Sequence, residues 1–171
     1  MGERRTQPIS ISRILAVPAI LCAAVIIIPL LHVIVLGIFL YRFTLACCLW
    51  VFWCPRGITT LLVYSRSPNW EEYIDQNMLP RLPATTVVLN WSDRRQWPRF
   101  SLAVRTFCHF GSAKNFNPIV IVTRPFRMPV VFRFHQPFLD HKHGNSRALH
   151  ELESQLYSMS GPVTGAASSE Q

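Results

Sequence analysis

Three groups of side chains in this chain have the types and spacing to do chemistry. His135, Asp140, His141 and His143 fall within nine residues, and imidazole with carboxylate suits zinc or iron. The spacing matches no closed structural zinc pattern and no cysteine contributes, so a polar loop ahead of the last helix is the default. No metal and no other cofactor is expected. His141 could serve as a lone general base, but nothing names a nucleophile beside it. Ser65, Arg66 and Ser67 form the second group, two hydroxyls and a guanidinium in three consecutive positions. The third is the basic-aromatic run Trp91, Arg94, Arg95, Trp97 and Arg99. Interleaved cations and rings can grip phosphates and stack bases, or rest on anionic lipid. An ordinary solvated loop with buried tryptophans is equally open.

What is missing narrows the field. There is no phosphate-binding glycine loop, Rossmann fingerprint, nucleophile elbow or paired-carboxylate motif. None of the 7 glycines stands in a G-x-G arrangement. These absences count against an enzyme.

The elements that must hold these groups begin with an apolar block. From Ile14 to Pro55 the only charged residue is Arg42. As one helix those 42 positions would reach about 63 Å, against a hydrocarbon core of about 30 Å, so one straight span is not expected. Two arrangements remain: a helical hairpin turning near His32 and Gly37, or one tilted span to Tyr41 with Phe43–Trp53 along the interface. Arg42, Trp50 and Trp53 suit headgroup depth. The chain therefore reads as a basic flank (1–13), a membrane anchor (14–55), a soluble α/β domain (56–160) and a disordered tail (161–171).

A cleaved signal peptide does not fit, because its apolar region is about 7–15 residues long. Arg4, Arg5 and Arg13 precede the block and Arg42, Arg56 and Arg66 follow it. A hairpin would put both flanks in the cytoplasm, so the soluble domain is expected there. Cys22, Cys47, Cys48 and Cys54 belong to the block; only Cys108 lies outside it, so the soluble domain can form no internal disulfide. Acylation of Cys47 and Cys48 is the alternative to a purely apolar role. Asn90-Trp91-Ser92 fits a glycosylation acceptor, but it falls at a strand end and is read as chance. From Arg56 onward thirteen Lys/Arg face eight Asp/Glu. That excess favours anionic partners, and the tether ranks lipid above nucleic acid.

Ile58–Tyr64 is a continuous β-branched and apolar run, a buried strand. Ser67-Pro68 then reads as an N-cap and first helical turn, with Glu71, Glu72 and Asp75 following and Trp70, Ile74 and Met78 on one face. Pro80 and Pro83 stop this helix. Thr85–Trp91 is a second buried strand, close enough in sequence to pair in parallel through the one crossover. A helix over 99–110 places Phe100, Val104, Phe107 and Cys108 on one face. Strands at 118–123 and 130–135 form a hairpin, and a helix over 146–157 buries Leu149, Leu152 and Leu156. The loop Ser65–Asn69 thus joins a strand's carboxyl end to a helix start, where open α/β sheets bind ligands and free N–H groups favour anions. In the plainer reading Ser67 is only a cap.

The order β-α-β-α-β-β-α resembles the thioredoxin fold, with Pro118 after Asn117 standing where that fold carries a cis-proline before its third strand. The resemblance covers Ile58–Tyr157. It implies a redox Cys-x-x-Cys after the first strand, where this chain has Tyr64-Ser65-Arg66-Ser67-Pro68. Thiol–disulfide exchange needs a thiolate, so no dithiol oxidoreductase is expected. By analogy with glutathione-transferase relatives, Ser65 would be the hydroxyl to hold a ligand's thiolate. A different doubly wound sheet is the alternative. The function these features imply is a membrane-anchored, non-redox, thioredoxin-like module that binds a protein or anionic ligand through Ser65, Arg66, Ser67, Arg94, Arg95 and Pro118. A small transferase or hydrolase using Ser65–Ser67 or His135–His143 is the runner-up.

Overall fold

The computed structural model describes residues 11–111 and 117–161, so the expected disordered tail from 162 and most of the basic flank lie outside the described residues. Two compact units divide the chain, Met1–Tyr41 and Arg42–Gln171. The first contains most of α1 (Ile11–Phe52), a helix that runs unbroken through His32 and Gly37. The hairpin expectation is therefore wrong. A single glycine costs a helix only about 1 kcal/mol, and His32 turns its Nδ1 back to the Ile28 carbonyl at 2.7 Å within the helix. From Val25 to Leu40 every large apolar side chain is at least half exposed. This helix is long and apolar enough to cross a membrane.

The larger unit is an α/β fold around a four-stranded mixed sheet, with β1 (Thr60–Tyr64), β2 (Val87–Asn90), β3 (Ile119–Val122) and β4 (Val130–Arg133) in the order β2-β1-β3-β4. β1 pairs in parallel with β2 and antiparallel with β3, and β3 pairs antiparallel with β4. All the residues of β1 and β3 are buried, because helices cover both sides of the sheet. The Asn117–Pro118 peptide at the head of β3 is cis.

Strand alternation divides the core. Leu62, Tyr64, Val120 and Val122 meet Ile74, Met78, Phe138, Leu149 and Leu156 on one face. These come from α2 (Glu71–Tyr73) with its π-turn Ile74–Met78, from α4 (His135–Lys142) and from α5 (Arg147–Ser160). On the other face Leu61, Val63, Ile119 and Ile121 meet Ala103, Phe107 and Phe110 of α3 (Leu102–Thr106) and its π-turn Phe107–Gly111. The end of α1 completes that layer: Leu45, Leu49 and Trp53 are buried there, four residues apart on one stripe. Within the run Phe43–Trp53 one stripe thus covers protein beside α3, while Phe43, Val51 and Phe52 stay exposed.

Four further expectations change. Val88 is 41% exposed, since β2 is an edge strand and only Val87 and Leu89 turn toward α3. Phe100 is 87% exposed, Cys108 is exposed and Val104 only half-buried, because the π-turn shifts the buried stripe to Ala103, Phe107 and Phe110. His135 begins a helix instead of ending β4. Leu152 packs at the core margin while Leu149 and Leu156 are fully buried.

Candidate functional site

The carboxyl end of β1 and the amino end of β3 lie side by side because the two strands are antiparallel neighbours. This brings Ser65 to Asn117: the Asn117 amide donates to Ser65 Oγ at 2.5 Å. The Asn117 carbonyl lies 3.2 Å from His135 Nδ1, at the start of α4. Two residues from separate candidate groups, Ser65 and His135, are thus joined through an asparagine that neither group contained. Pro118 is buried beneath them, its carbonyl accepting the Phe134 N–H at 3.0 Å.

Trp70 closes the far side, its ring centroid 6.0 Å from that of His135. Trp70 Nε1 and Asn117 Oδ1 are both buried without a hydrogen-bond partner. A buried donor and a buried acceptor left open are uncommon, and each costs about 1–3 kcal/mol unless water or a ligand atom meets it. In sequence, an asparagine ahead of a proline and a tryptophan near a helix start carried no such signal.

The remaining members of the Ser65–Ser67 group are engaged locally. Arg66 forms a 3.0 Å ion pair with Asp93, and its amide donates to Ser92 Oγ at 3.1 Å. The Arg66 side chain is 60% exposed, so the pair contributes no more than about 1 kcal/mol. Ser67 stands at the head of the turn that leads into α2. Its Oγ accepts from Asn69 N at 3.4 Å, while its carbonyl accepts from Trp70 and Glu71. Glu71 and Glu72 stand in the first turn of α2, where they meet the free N–H groups of the helix start. An open cleft of about 240 Å³ beside it is lined by Pro68, Asn69, Glu72, Tyr73, Gln76 and Asn77.

Arg94 and Arg95 sit on a short 3₁₀ segment, Trp91–Gln96, that follows β2 and whose first turn is capped by the Asn90 side chain. Both side chains are exposed, and Arg94 lies 5.1 Å over Trp91. Trp91, Trp97 and Phe107 meet edge to face at 5.6–5.8 Å. The tryptophans hold the segment to α3's π-turn and turn their faces on one another, which leaves no open platform for a base.

The histidine group does not converge. Asp140 accepts from Gln136 at 2.9 Å, His141 Nδ1 sits 2.8 Å from Ser146 Oγ, and His143 is exposed at the end of α4. Among the described residues no three His, Cys, Asp or Glu side chains gather as a metal site. His135 Nδ1 is directed at a carbonyl and not at Ser65, so no nucleophile–base hydrogen bond joins them.

Sequence reasoning missed a buried carboxylate. Glu153 of α5 is 4% exposed and accepts from Tyr73 OH at 2.8 Å. Burial and this bond push the Tyr73 phenol well above its ordinary value. Burial, then the 3.0 Å bond to Asp75, raises Tyr64 to about 12. No protein-family model, curated protein or solved structure matches this chain.

Proposed function

We propose that this is an integral membrane protein whose larger unit is a non-redox, thioredoxin-like module holding a protein or anionic ligand at the membrane surface. The observation that carries the reading is the meeting of Ser65, Asn117 and His135 at one end of the two central strands, beside two buried polar atoms with no hydrogen-bond partner. The strand order β2-β1-β3-β4, with Pro118 opening β3, supports the thioredoxin-like part. Ser65 stands after β1 where that fold carries its redox cysteine, so this position offers a hydroxyl for binding and no thiolate for disulfide exchange. The exposed run of α1 supports the anchor. Free thiols at Cys47, Cys48, Cys54 and Cys108 support a reducing, cytoplasmic side.

The test uses the full-length protein in detergent. Its melting temperature is measured with glutathione, inorganic phosphate and a phosphoserine peptide, for the natural chain and for Ser65→Ala. A shift with any of these probes that Ser65→Ala abolishes is the expected result. Turnover of a thiol or ester conjugate would favour a transferase or hydrolase instead. No shift and no turnover would remove the Ser65 end as the binding site.

A further inference from the structure

The two layers that cover the sheet carry opposite charge. Between Arg94 and Phe134 the described residues include no Asp or Glu and seven Arg. That stretch supplies α3, β3, β4 and the loops joining them. Glu71, Glu72, Asp75, Asp140, Glu151 and Glu153 all belong to α2 with its π-turn, α4 and α5, on the other face.

The basic layer is also the one that exposes aromatic rings. In the loop between β3 and β4, Phe126 is 87% exposed and held at φ 57°, a left-handed conformation rare for an aromatic residue. Trp50 of α1 fixes that loop, its indole N–H donating to the Arg127 carbonyl at 2.9 Å. Phe43, Trp50 and Phe126 form a file with centroids 6.3 and 5.9 Å apart. The file starts one residue after Arg42, whose guanidinium lies 5.2 Å over Phe110 of the same layer. Phe100, also 87% exposed, has Arg105 5.5 Å above its ring.

We propose that this layer, formed by the end of α1, by α3 and by the loop around Phe126, lies on an anionic bilayer, with Phe126 and Phe100 entering the headgroup–acyl boundary. The proposal rests on the anchored reading and adds an orientation to it. Exposed rings set beside arginines suit a bilayer surface, where headgroup phosphates attract the cations and the acyl boundary takes the rings. A second copy of this chain would bring two basic faces together, which charge opposes. The acidic layer then faces away from the membrane, and the membrane-bound module is turned one way.

The test is hydrogen exchange on the full-length protein, one copy per nanodisc, in phosphatidylcholine alone and in phosphatidylcholine with phosphatidylserine. Amides of 124–130 and 99–105 should exchange at least about tenfold more slowly in the anionic discs, while α5 is unchanged. Phe126→Ala should release the first segment. Arg127→Gln should lower its protection roughly fivefold, the weight of one cation near anionic lipid. Arg127→Gln should melt like the natural protein, since its side chain is exposed, and Phe126→Ala is read as the difference between the two lipids, in which its lost ring contact with Trp50 cancels. Equal exchange in both lipids, with the protein still in the pellet after carbonate washing, would overturn the orientation and leave the anchor standing. Loss from washed membranes would overturn both. Protection that appears only with added oligonucleotide, or only in discs holding two copies, would assign the face to another occupant and overturn the proposal.

Discussion

The two layers flanking the sheet bury the same kinds of side chain, yet only one contains a charged group in its interior. On the α2, α4 and α5 side, Glu153 lies beneath Tyr73 and among Leu149 and Leu156. On the α1 and α3 side the buried polar group of α3 is an uncharged one, Thr106, whose hydroxyl donates to the Leu102 carbonyl at 2.7 Å beside an apolar core that includes Leu49 and Phe107. Packing specifies both interiors, so hydrophobic burial alone cannot say which face does what. The outer surfaces and the buried polar exceptions carry that information.

Substitutions can break or sharpen this contrast. The largest effect should come from Ile121→Asp on the central strand β3, which is fully buried between the layers. Burying an unpaired carboxylate there costs several kcal/mol, and the full-length protein should fail to show a cooperative urea transition. Leu49→Ala and Leu156→Ala, one from each layer and both fully buried, should each cost about 2–5 kcal/mol by urea midpoint. A harmless Leu49→Ala would show that the end of α1 is not core. Tyr73→Phe should cost about 1–3 kcal/mol by the same measurement, because Glu153 loses a buried donor.

The phenol pair on the polar side predicts a pH effect with a definite sign. Tyr64 keeps its proton to about 12 when folded against 10.0 when unfolded. The Tyr64 contribution to stability is therefore level below about pH 10 and is lost as pH rises from 10 toward 12, where only the unfolded chain deprotonates. Tyr64→Phe should flatten the urea midpoint over that window. Smallest of all, Val88→Asp on the exposed side of β2 should shift the midpoint by less than about 0.5 kcal/mol.

Parts of this architecture were plain in the residues and parts were not. Leu61–Val63 and Ile119–Val122 announced central strands because a run buried on both faces needs no alternation. Val88 misled for the same reason: an apolar run does not say that its strand lies at an edge. Nothing in the block from Ile14 separates the exposed positions from Leu45, Leu49 and Trp53, since both are filled by the same apolar side chains. The π-turns after α2 and α3 depend on packing, and they moved the buried stripe from Phe100 and Val104 to Ala103 and Phe107. Ser65 and Pro118 could be singled out from their places in the element order. Their link through Asn117 is a product of antiparallel pairing across more than fifty positions of chain.

The seat that Leu45, Leu49 and Trp53 occupy has a practical side. Cutting the polypeptide at Arg56, where polarity resumes, would amputate a lid and leave Leu61, Val63, Ile119 and Ile121 partly bare. Such a truncated product should clump on expression, whereas one begun at Arg42 would keep its greasy underside shut. The apparent frontier between greasy and soluble halves therefore falls some ten residues too late.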